Sequence, residues 1–391
     1  MEIESVRALK REIIARVLRP LLLRSFELEQ KRRAAEPRRL PLREVAPIAL
    51  GIAPGGLLAV RVQQRNAATA RLVEEMRSMA HEEVEVRYVG SIRSFARAGG
   101  AAWLRARRRP LVIGASIGHF AVTAGTLGAF ATERKTGATV ILGNNHVLAD
   151  EDRGRIGDAV LQPGAADGGS RANDRVGALL HFVALNREST NIVDAAVATI
   201  DADVAFDATT LTGFGKVNGA REEPLLPGTP VAKLGRTTGL TRGIVTAIEV
   251  DDVRVDYDSG RLVFDDQIEI EGTDGVFSRG GDSGSLIVDE RGHGCGLLFA
   301  GSTTGGSNGR GLTYANPIDR VLGALGLALP ALGTRLRFSA WRPSSSASGG
   351  PRTSCAKACA TTRVASASAS RASATSSPSR STGAKAPANR A

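Results

Sequence analysis

Residues 278–285 read Ser-Arg-Gly-Gly-Asp-Ser-Gly-Ser. A serine hydroxyl becomes a strong nucleophile only when a base removes its proton and N–H donors stabilise the oxyanion that forms. Gly281 and Gly284 would let bare backbone approach a reacting group, and the N–H groups of Gly281 and Ser283 are the candidate oxyanion donors. The alternative interpretation is a tight turn, because Gly, Asp and Ser all favour turns.

The basic charge of the chain is concentrated at its two ends. The 391 residues carry a formal net charge of +11. Residues 1–110 hold 23 Lys and Arg against 12 Asp and Glu, residues 335–391 hold 10 against none, and residues 111–334 hold 18 against 28. Contact of the basic ends with nucleic acid is one interpretation of this pattern. We favour the other, in which the basic segments are a solvated linker and tail.

The first 45 residues contain a predicted amphipathic helix, because apolar residues from Val6 to Leu21 recur at helical spacing between Arg and Lys. We expect this helix to pack on its own protein. The alternative is docking on an anionic surface or a partner, including a second copy of the chain as a homo-oligomer.

Residues 46–110 read as strand, glycine turn, strand, helix and strand, followed by a basic linker. This pattern predicts a small α/β module. Short strands dominate residues 111–334, and a closing helix is predicted with Asn316 as its cap and Pro317 in its first turn. The Ser/Ala-rich residues 335–391 have few large apolar side chains, so we expect a disordered tail.

Cysteine usage and hydropathy bear on the compartment. Cys295, Cys355 and Cys359 make no disulfide framework, and we find no signal peptide and no apolar run of membrane-spanning length. We therefore expect a cytoplasmic protein with no membrane span. We also expect no metal site and no cofactor.

A second serine motif is a decoy. Residues 114–118, Gly-Ala-Ser-Ile-Gly, match the Gly-x-Ser-x-Gly pattern of a nucleophile elbow. That elbow needs a helix directly after the serine, and strand-like sequence follows here. The sequence therefore favours Ser283 over Ser116.

Two polar residues complete the candidate site. His146 follows the predicted strand 138–142, and Asp194 lies inside the apolar run 191–198. A carboxylate should not be buried without a partner, so we expect Asp194 to hold His146. The alternative for His146 is an ordinary loop histidine.

The order His146, Asp194, Ser283 in strand-rich sequence resembles the chymotrypsin-fold, trypsin-like serine proteases over roughly residues 120–330. The hairpin 233–243 is similar to that of bacterial streptogrisin and α-lytic-type enzymes, although Ala232 and Arg242 stand where cysteines flank it in those secreted relatives. Together with the N-terminal module, the chain is similar to the plant narrow-leaf proteins and their bacterial relatives.

This resemblance implies a mainly β fold, a double six-stranded antiparallel β-barrel preceded by the α/β module and the N-terminal helix. It implies a serine endopeptidase acting on protein or peptide substrates, in which Ser283 attacks, His146 is the base and then the acid, and Asp194 orients His146. The N–H groups of Gly281 and Ser283 would form the oxyanion hole, and Asp282 would order their loop. The alternative is a catalytically weak protease-fold protein that acts as an interaction module.

The specificity pocket follows from the same resemblance. An acidic residue at the position of Phe277 would predict cleavage after Lys or Arg, and its absence favours small or apolar residues before the cleaved bond. We find no convincing activation cleavage site near residue 120. The predicted pocket residues are Phe277, Phe299, Ala300 and Gly301.

Overall fold

The computed structural model describes residues 1–21, 23, 47–94 and 101–332, and strands dominate these residues. The helices are α1 (Ile3–Ile13), α2 (Ala67–Met79), α3 (Ala102–Arg105), α4 (Asn145–Leu148) and α5 (Ile318–Leu325). A π-helical turn, Ile14–Leu18, continues α1, and short 3₁₀ turns lie at Pro54–Gly56 and Ala165–Asp167. The predicted tail, 335–391, and Cys355 and Cys359 lie outside the described residues.

The strands of the described part are β1 (Ile48–Ala53), β2 (Leu57–Val62), β3 (Val84–Tyr88), β4 (Ile92–Arg93), β5 (Leu111–Val112), β6 (Ser116–His119), β7 (Gly125–Thr126), β8 (Ala129–Glu133), β9 (Thr139–Gly143), β10 (Ala159–Leu161), β11 (Arg175–Phe182), β12 (Ala196–Ala198), β13 (Phe206–Asp207), β14 (Thr210–Leu211), β15 (Gly215–Lys216), β16 (Pro230–Gly235), β17 (Gly239–Asp251), β18 (Val253–Tyr257), β19 (Gly260–Phe264), β20 (Gln267–Gly272), β21 (Leu286–Asp289), β22 (Gly294–Ser302), β23 (Thr313–Pro317) and β24 (Leu327–Ala328).

Helix α1 packs on the chain's own N-terminal sheet. Val6 and Ile13 are fully buried, in one core cluster with Ile48 and Leu50 of β1. On its polar side, Lys10 Nζ lies 2.7 Å from Asp251 Oδ2. The amphipathic spacing thus puts apolar side chains in a core and a lysine beside an acidic strand end.

The N-terminal module is built from β1, β2, α2 and β3. β1 pairs antiparallel with β2, and β2 pairs parallel with β3. Helix α2 makes the crossover and begins with a capping box, since Asn66 Oδ1 accepts from Thr69 N at 2.9 Å and Thr69 Oγ1 accepts from Asn66 N at 3.1 Å. Strand β1 also pairs with β17, so the module extends the sheet of the barrel described next.

Six strands of the second half close on themselves. The pairing runs β16–β17–β20–β23–β22–β21 and returns from β21 to β16, antiparallel throughout. The mainly β prediction with an N-terminal helix is confirmed, and this is a closed six-stranded barrel.

The first half of the strand-rich region is a half-barrel. Its strands form the open path β24–β8–β9–β12–β11–β10–β6–β7, where the resemblance predicts a second closed barrel. Strand β7 is only two residues long, and Thr126 N donates to Ser283 O at 2.8 Å. Strand β7 therefore pairs with β6 of its own sheet and also bonds to the serine loop.

A hairpin and a short strand extend the barrel sheet on one side. β18 pairs antiparallel with β19 and parallel with β4, and β4 pairs antiparallel with β22. In the described ranges, no helix is both long and apolar enough to cross a membrane.

Candidate active site

His146 lies on the one-turn helix α4, at the end of β9. The helix is fixed from below, since Val147 and Leu148 are buried and Asn144 Nδ2 donates to Asp194 O at 2.7 Å. The His146 side chain is 9 % exposed. Its ring is therefore held nearly buried by a packed helix and is not an ordinary loop side chain.

Asp194 meets His146, as the sequence predicts. Its carboxylate is fully buried, Oδ2 lies 2.5 Å from His146 Nδ1, and Oδ1 accepts from His146 N at 3.2 Å. Burial would raise the pKa of Asp194, but the charge and hydrogen bond of His146 outweigh burial and hold that pKa below its ordinary value. The group is thus an ionised carboxylate bonded to the imidazole.

Tyr257 is a site residue that the sequence analysis missed. Its hydroxyl, on β18, donates to Asp194 Oδ2 at 2.7 Å, and its ring meets that of His146 edge-on with centroids 5.8 Å apart. Burial, and then the neighbouring carboxylate, raise the pKa of Tyr257 well above its ordinary value. The hydroxyl therefore stays a donor to Asp194.

Asn316 corrects the predicted helix start. Helix α5 begins at Ile318 with Pro317 at its cap position and no side-chain cap. Asn316 Oδ1 accepts instead from Asp194 N at 2.9 Å, and its Nδ2 donates to Gln267 Oε1 at 2.8 Å. The Asn316 amide is fully buried, so it needs hydrogen-bond partners, and these bonds supply them. If Asn316 capped the helix instead, Asp194 N would lose this partner.

The serine loop depends on glycine conformation at two positions. Gly281 has φ +92° and Gly284 has φ +95°, the left-handed region that side chains rarely adopt. A Cβ on Gly284 would also collide with Thr126 O on β7. The two glycines therefore let the loop bend sharply around Ser283 while it packs against the half-barrel.

The loop and the histidine helix meet at Gly125. A Cβ added there would lie 2.9 Å from Ser283 O and would collide with the side chain of Val147, the residue after His146. Ser283 Oγ donates to Phe299 O at 3.4 Å. His146 Nε2 is buried and has no hydrogen-bond partner among the described residues.

Two peptide groups of the loop are anchored through their carbonyls. Gly280 O accepts from Thr237 Oγ1 at 2.7 Å, and Asp282 O accepts from Ser285 Oγ at 2.6 Å. In a trans peptide the following N–H points opposite to the carbonyl. The N–H groups of Gly281 and Ser283 therefore point away from these anchors, and no hydrogen bond joins either one to another described residue.

Asp282 is the fixed point of the loop. Its carboxylate is fully buried and accepts from the backbone N–H groups of Thr237, Thr238 and Arg279 at 2.9, 3.1 and 2.9 Å. Lys233 Nζ, also buried, lies 3.4 Å from Asp282 Oδ2. Burial lowers the pKa of Lys233, although the charge of Asp282 opposes it. With this many partners, the carboxylate can order the loop.

The hairpin named in the sequence analysis supplies these partners apart from Arg279 N, which belongs to the serine loop. Thr237, Thr238 and Lys233 all come from β16, β17 and their turn. Ala232 and Arg242 stand directly opposite each other in the β16–β17 register, so the positions of the relatives' flanking cysteines are cross-strand neighbours here.

The predicted pocket residues are buried side chains. Phe277 is 2 % exposed and belongs to the core cluster that also holds Ile270 and Ile287. Phe299 is fully buried, and its ring lies 4.7 Å from that of Phe264. The decoy Ser116 is fully buried on β6, where its Oγ accepts from Gly164 N at 3.1 Å.

No group of three or more His, Cys, Asp or Glu side chains in the described ranges is arranged to hold a metal ion. Cys295 is buried and free, and burial raises the pKa of its thiol to about 12.

Comparison with known proteins gives structural likenesses only. No protein-family model matches the sequence, and no curated protein is similar to it at a significant level. The chain is similar to a solved chymotrypsin of Cellulomonas bogoriensis (20 % identity, TM-score 0.39), protease A of Thermobifida fusca (18 %, 0.39) and a Nocardiopsis protease (20 %, 0.40). Each likeness covers 56 % of this chain and 98 % of the other. The structural neighbours of this chain are chymotrypsin-like serine proteases.

Proposed function

We propose that this chain is a serine endopeptidase that hydrolyses peptide bonds through a covalent acyl-enzyme. One observation carries the proposal. The buried, ionised Asp194 holds His146 by Nδ1 and leaves Nε2 without a partner among the described residues. The adjacent serine loop carries two N–H groups, of Gly281 and of Ser283 itself, that also have no partner there. A buried imidazole nitrogen without a partner is costly, and a proton-accepting role accounts for it.

In the proposed reaction, Ser283 Oγ attacks the carbonyl carbon while its proton passes to His146 Nε2. The tetrahedral intermediate collapses, the C–N bond breaks, and the proton moves from Nε2 to the departing amine. A water molecule then attacks the ester, gives its proton to Nε2, and releases the acid as the proton returns to Ser283 Oγ. For these steps to occur, the Ser283 side chain rotates so that Oγ leaves its hydrogen bond with Phe299 O and bonds to His146 Nε2.

Asp194 acts through His146. By accepting from Nδ1 it selects the tautomer whose Nε2 lone pair can take the serine proton, and its charge offsets the imidazolium that forms. Tyr257 donates to the same Oδ2 and so limits rotation of the carboxylate.

The N–H groups of Gly281 and Ser283 stabilise the oxyanion in this proposal. Their orientation is set before substrate arrives, because Thr237 and Ser285 hold the preceding carbonyls. Removal of one oxyanion donor typically costs about 10² to 10³ in turnover.

The second candidate is a protease-fold interaction module with little catalysis. It is favoured by one observation, which is that Ser283 Oγ donates to Phe299 O while His146 Nε2 has no partner in the described ranges. In that case the serine would stay on Phe299 O in every complex.

The compartment and the ends of the chain are also part of the proposal. We propose a cytoplasmic location, since Ala232 and Arg242 stand where the secreted relatives have cysteines and the buried Cys295 forms no disulfide. The boundaries 1–45, 46–110, 111–334 and 335–391, and homo-oligomer formation through α1, stay predictions.

The test is cleavage of a peptide library by the full-length chain, followed by mass analysis of the products. We expect internal cleavage after small or apolar residues, and no cleavage by Ser283→Ala. The matched control is Ser116→Ala, which removes the serine of the decoy motif and should leave the product pattern unchanged. Equal cleavage by wild type and Ser283→Ala would contradict the proposal, and products dominated by Lys and Arg would contradict the specificity.

A further inference from the structure

Strand β22 has two edges, and they are occupied differently. Along one edge β23 pairs from Gly296 to Gly301. Along the other edge β21 pairs as far as Leu297, after which Leu298 bonds to the serine loop, since Gly284 N donates to Leu298 O at 2.8 Å. Phe299 O then receives Ser283 Oγ. This second edge therefore leads directly to the nucleophile.

The next residues of that edge are filled by the chain's own β4. Gly301 pairs with Arg93 and Ser302 pairs with Ile92, antiparallel. Going from Ile92 to Arg93, β4 therefore runs from Ser302 toward Phe299, in the direction of Ser283. Only about two residues of β22, or about 7 Å, separate Phe299 from the paired position.

Both sides of β4 are bonded. On the side away from β22, Ile92 pairs with Val255 and Arg93 with Asp256 of β18, and Ser94 N donates to Asp256 O at 3.3 Å. Successive N–H groups along a strand point to opposite edges. Since Ser94 N–H points to β18, the N–H of Arg93 faces β22.

An extended peptide is commonly recognised when it adds as a strand to an open sheet edge. A peptide whose carbonyl reaches Ser283 along β22 would bond first at Phe299 and Ala300. Residues further toward its N-terminus would then need the edge at Gly301, where β4 already pairs.

We propose that β4 competes with the substrate strand for the edge of β22, so that the chain restrains its own site against peptides with more than about two residues before the cleaved bond. This inference rests on the proposed function. The occupant is the chain's own residues 92–93, and a longer substrate displaces them.

Displacing β4 from β22 breaks only a short contact. β4 is two residues long, and the Arg93 side chain is exposed, whereas Ile92 is buried among the residues of the β18 hairpin cluster. If the open form is a minor fraction of the molecules, the apparent affinity for a long substrate falls by that fraction. The effect should therefore appear in KM and depend on peptide length.

The experiment compares Arg93→Pro with wild type in the full-length chain. Proline removes the N–H that faces β22, and Arg93→Ala, which keeps it, is the matched control. Two acetylated substrates with the same residue before the cleaved bond are used, a dipeptide and a tetrapeptide anilide. A small fluorophosphonate, which needs no strand edge, measures reactivity of the serine.

We expect Arg93→Pro to raise kcat/KM for the tetrapeptide by about tenfold through KM. The dipeptide rate, the labelling rate and the Arg93→Ala variant should stay at the wild-type values. Labelling without a length-dependent gain would overturn this inference alone. Absence of Ser283-dependent labelling in every form would overturn the proposed function, and this inference with it.

A measurement on wild type guards against misfolding of Arg93→Pro. Hydrogen exchange in residues 92–94 is followed after labelling with a dipeptidyl or a tetrapeptidyl phosphonate. The inference predicts faster exchange there with the tetrapeptidyl adduct only. Equal protection in both adducts would overturn it.

Discussion

Two buried ion pairs in this molecule look alike by residue type and differ in what they hold together. Lys233 and Asp282 lie under the serine loop, and Arg61 and Glu269 lie between β2 and the barrel strand β20. All four side chains are fully buried. Burying such charges is costly unless they are paired and hydrogen-bonded, so each pair must have a local reason to persist.

In the Lys233–Asp282 pair the two charges are farther apart than in the other pair, but the carboxylate has several other hydrogen bonds. Lys233 Nζ and Asp282 Oδ2 are 3.4 Å apart, whereas Asp282 also takes three backbone N–H groups. In the second pair the charged groups are in direct hydrogen-bond contact, with Arg61 Nε 2.8 Å from Glu269 Oε2. The hydroxyl groups of Tyr314 and Thr246 also donate to the Glu269 carboxylate, at 3.0 and 2.8 Å.

The first pair sets the conformation of a loop, whereas the second pair joins two parts of the fold. Asp282 gathers the turn of one hairpin and the serine loop, so the first pair determines where two N–H groups point. Glu269 joins a strand of the N-terminal module to the barrel, and the partners are 208 positions apart in the sequence. Breaking the first should therefore reduce catalysis, and breaking the second should reduce the free energy of unfolding.

The largest expected effect is on stability, from Glu269→Gln. It leaves the buried Arg61 guanidinium with only the more distant Glu85 carboxylate, 3.5 Å from Nη2, as counter-charge. Removing one partner of a buried pair typically costs about 3–5 kcal/mol. Denaturant unfolding measures this change. The control Glu4→Gln, which breaks the partly exposed pair of Arg7 and Glu4, should cost less than about 1 kcal/mol. Equal costs in the two variants would remove the contrast between buried and surface pairs.

Next in size is the turnover lost in Lys233→Met. Without the cation the turn and loop relax, and we expect a drop of about 10² to 10³ in kcat, as for loss of an oxyanion donor. Steady-state kinetics on the folded fraction measures it. Under the same conditions, folded Glu269→Gln should retain wild-type turnover, and an equal loss there would mean that both pairs act through global stability.

A smaller loss is expected from Tyr257→Phe. The variant removes one hydrogen bond to an ionised carboxylate, worth about 1.5–3 kcal/mol, and leaves the aromatic packing. We expect kcat to fall by about 10- to 100-fold at nearly constant KM. Tyr88→Phe, at a partly exposed ring, is the control. An unchanged kcat would exclude a positioning role for the Tyr257 hydroxyl.

Thr237→Val should have a milder effect. It removes the hydroxyl that anchors Gly280 O, a neutral hydrogen bond worth about 1 kcal/mol, so kcat should fall by about fivefold. Thr229→Val, which removes a similar hydroxyl-to-carbonyl bond in the turn before β16, should leave kcat unchanged. A change confined to KM would argue that Thr237 contacts substrate instead of orienting the peptide.

The smallest effect at neutral pH is the pH dependence that Glu269 gives to the free energy of unfolding. Burial would raise the pKa of Glu269, but the charge and hydrogen bond of Arg61 outweigh burial and lower it. A lowered pKa means that stability is fully present above the unfolded pKa of about 4.3 and is lost as pH falls through the folded value. Glu269→Gln should flatten the acid limb of an unfolding series. A variant curve parallel to wild type below pH ~4 would contradict the pairing.

The bend of the serine loop and the contact of Asp194 with His146 could be predicted from the sequence because their signals are local. Gly281 and Gly284 predict a sharp turn. A carboxylate inside an apolar run, as Asp194 is, requires a partner when it is buried. The mainly β fold follows from short strands and turns. These signals need no knowledge of which strand pairs with which.

The remainder depends on pairings between distant segments. Tyr257 lies in a strand whose alternation only indicates burial, and its hydroxyl meets a carboxylate 63 residues away. Asn316 has the right residue type for a helix cap and is taken by Asp194 N instead. The pairing of β4 with β22 joins residues about 200 positions apart, and two-residue strands leave almost no periodic signal.

Intact-mass measurement of the full-length chain after reaction with a fluorophosphonate tests whether Ser283 is the nucleophile. We predict one adduct on wild type, located on Ser283 by peptide mapping, and none on Ser283→Ala. The Ser116→Ala control should be labelled like wild type. Equal, slow labelling of wild type and Ser283→Ala would contradict the account and favour the interaction module.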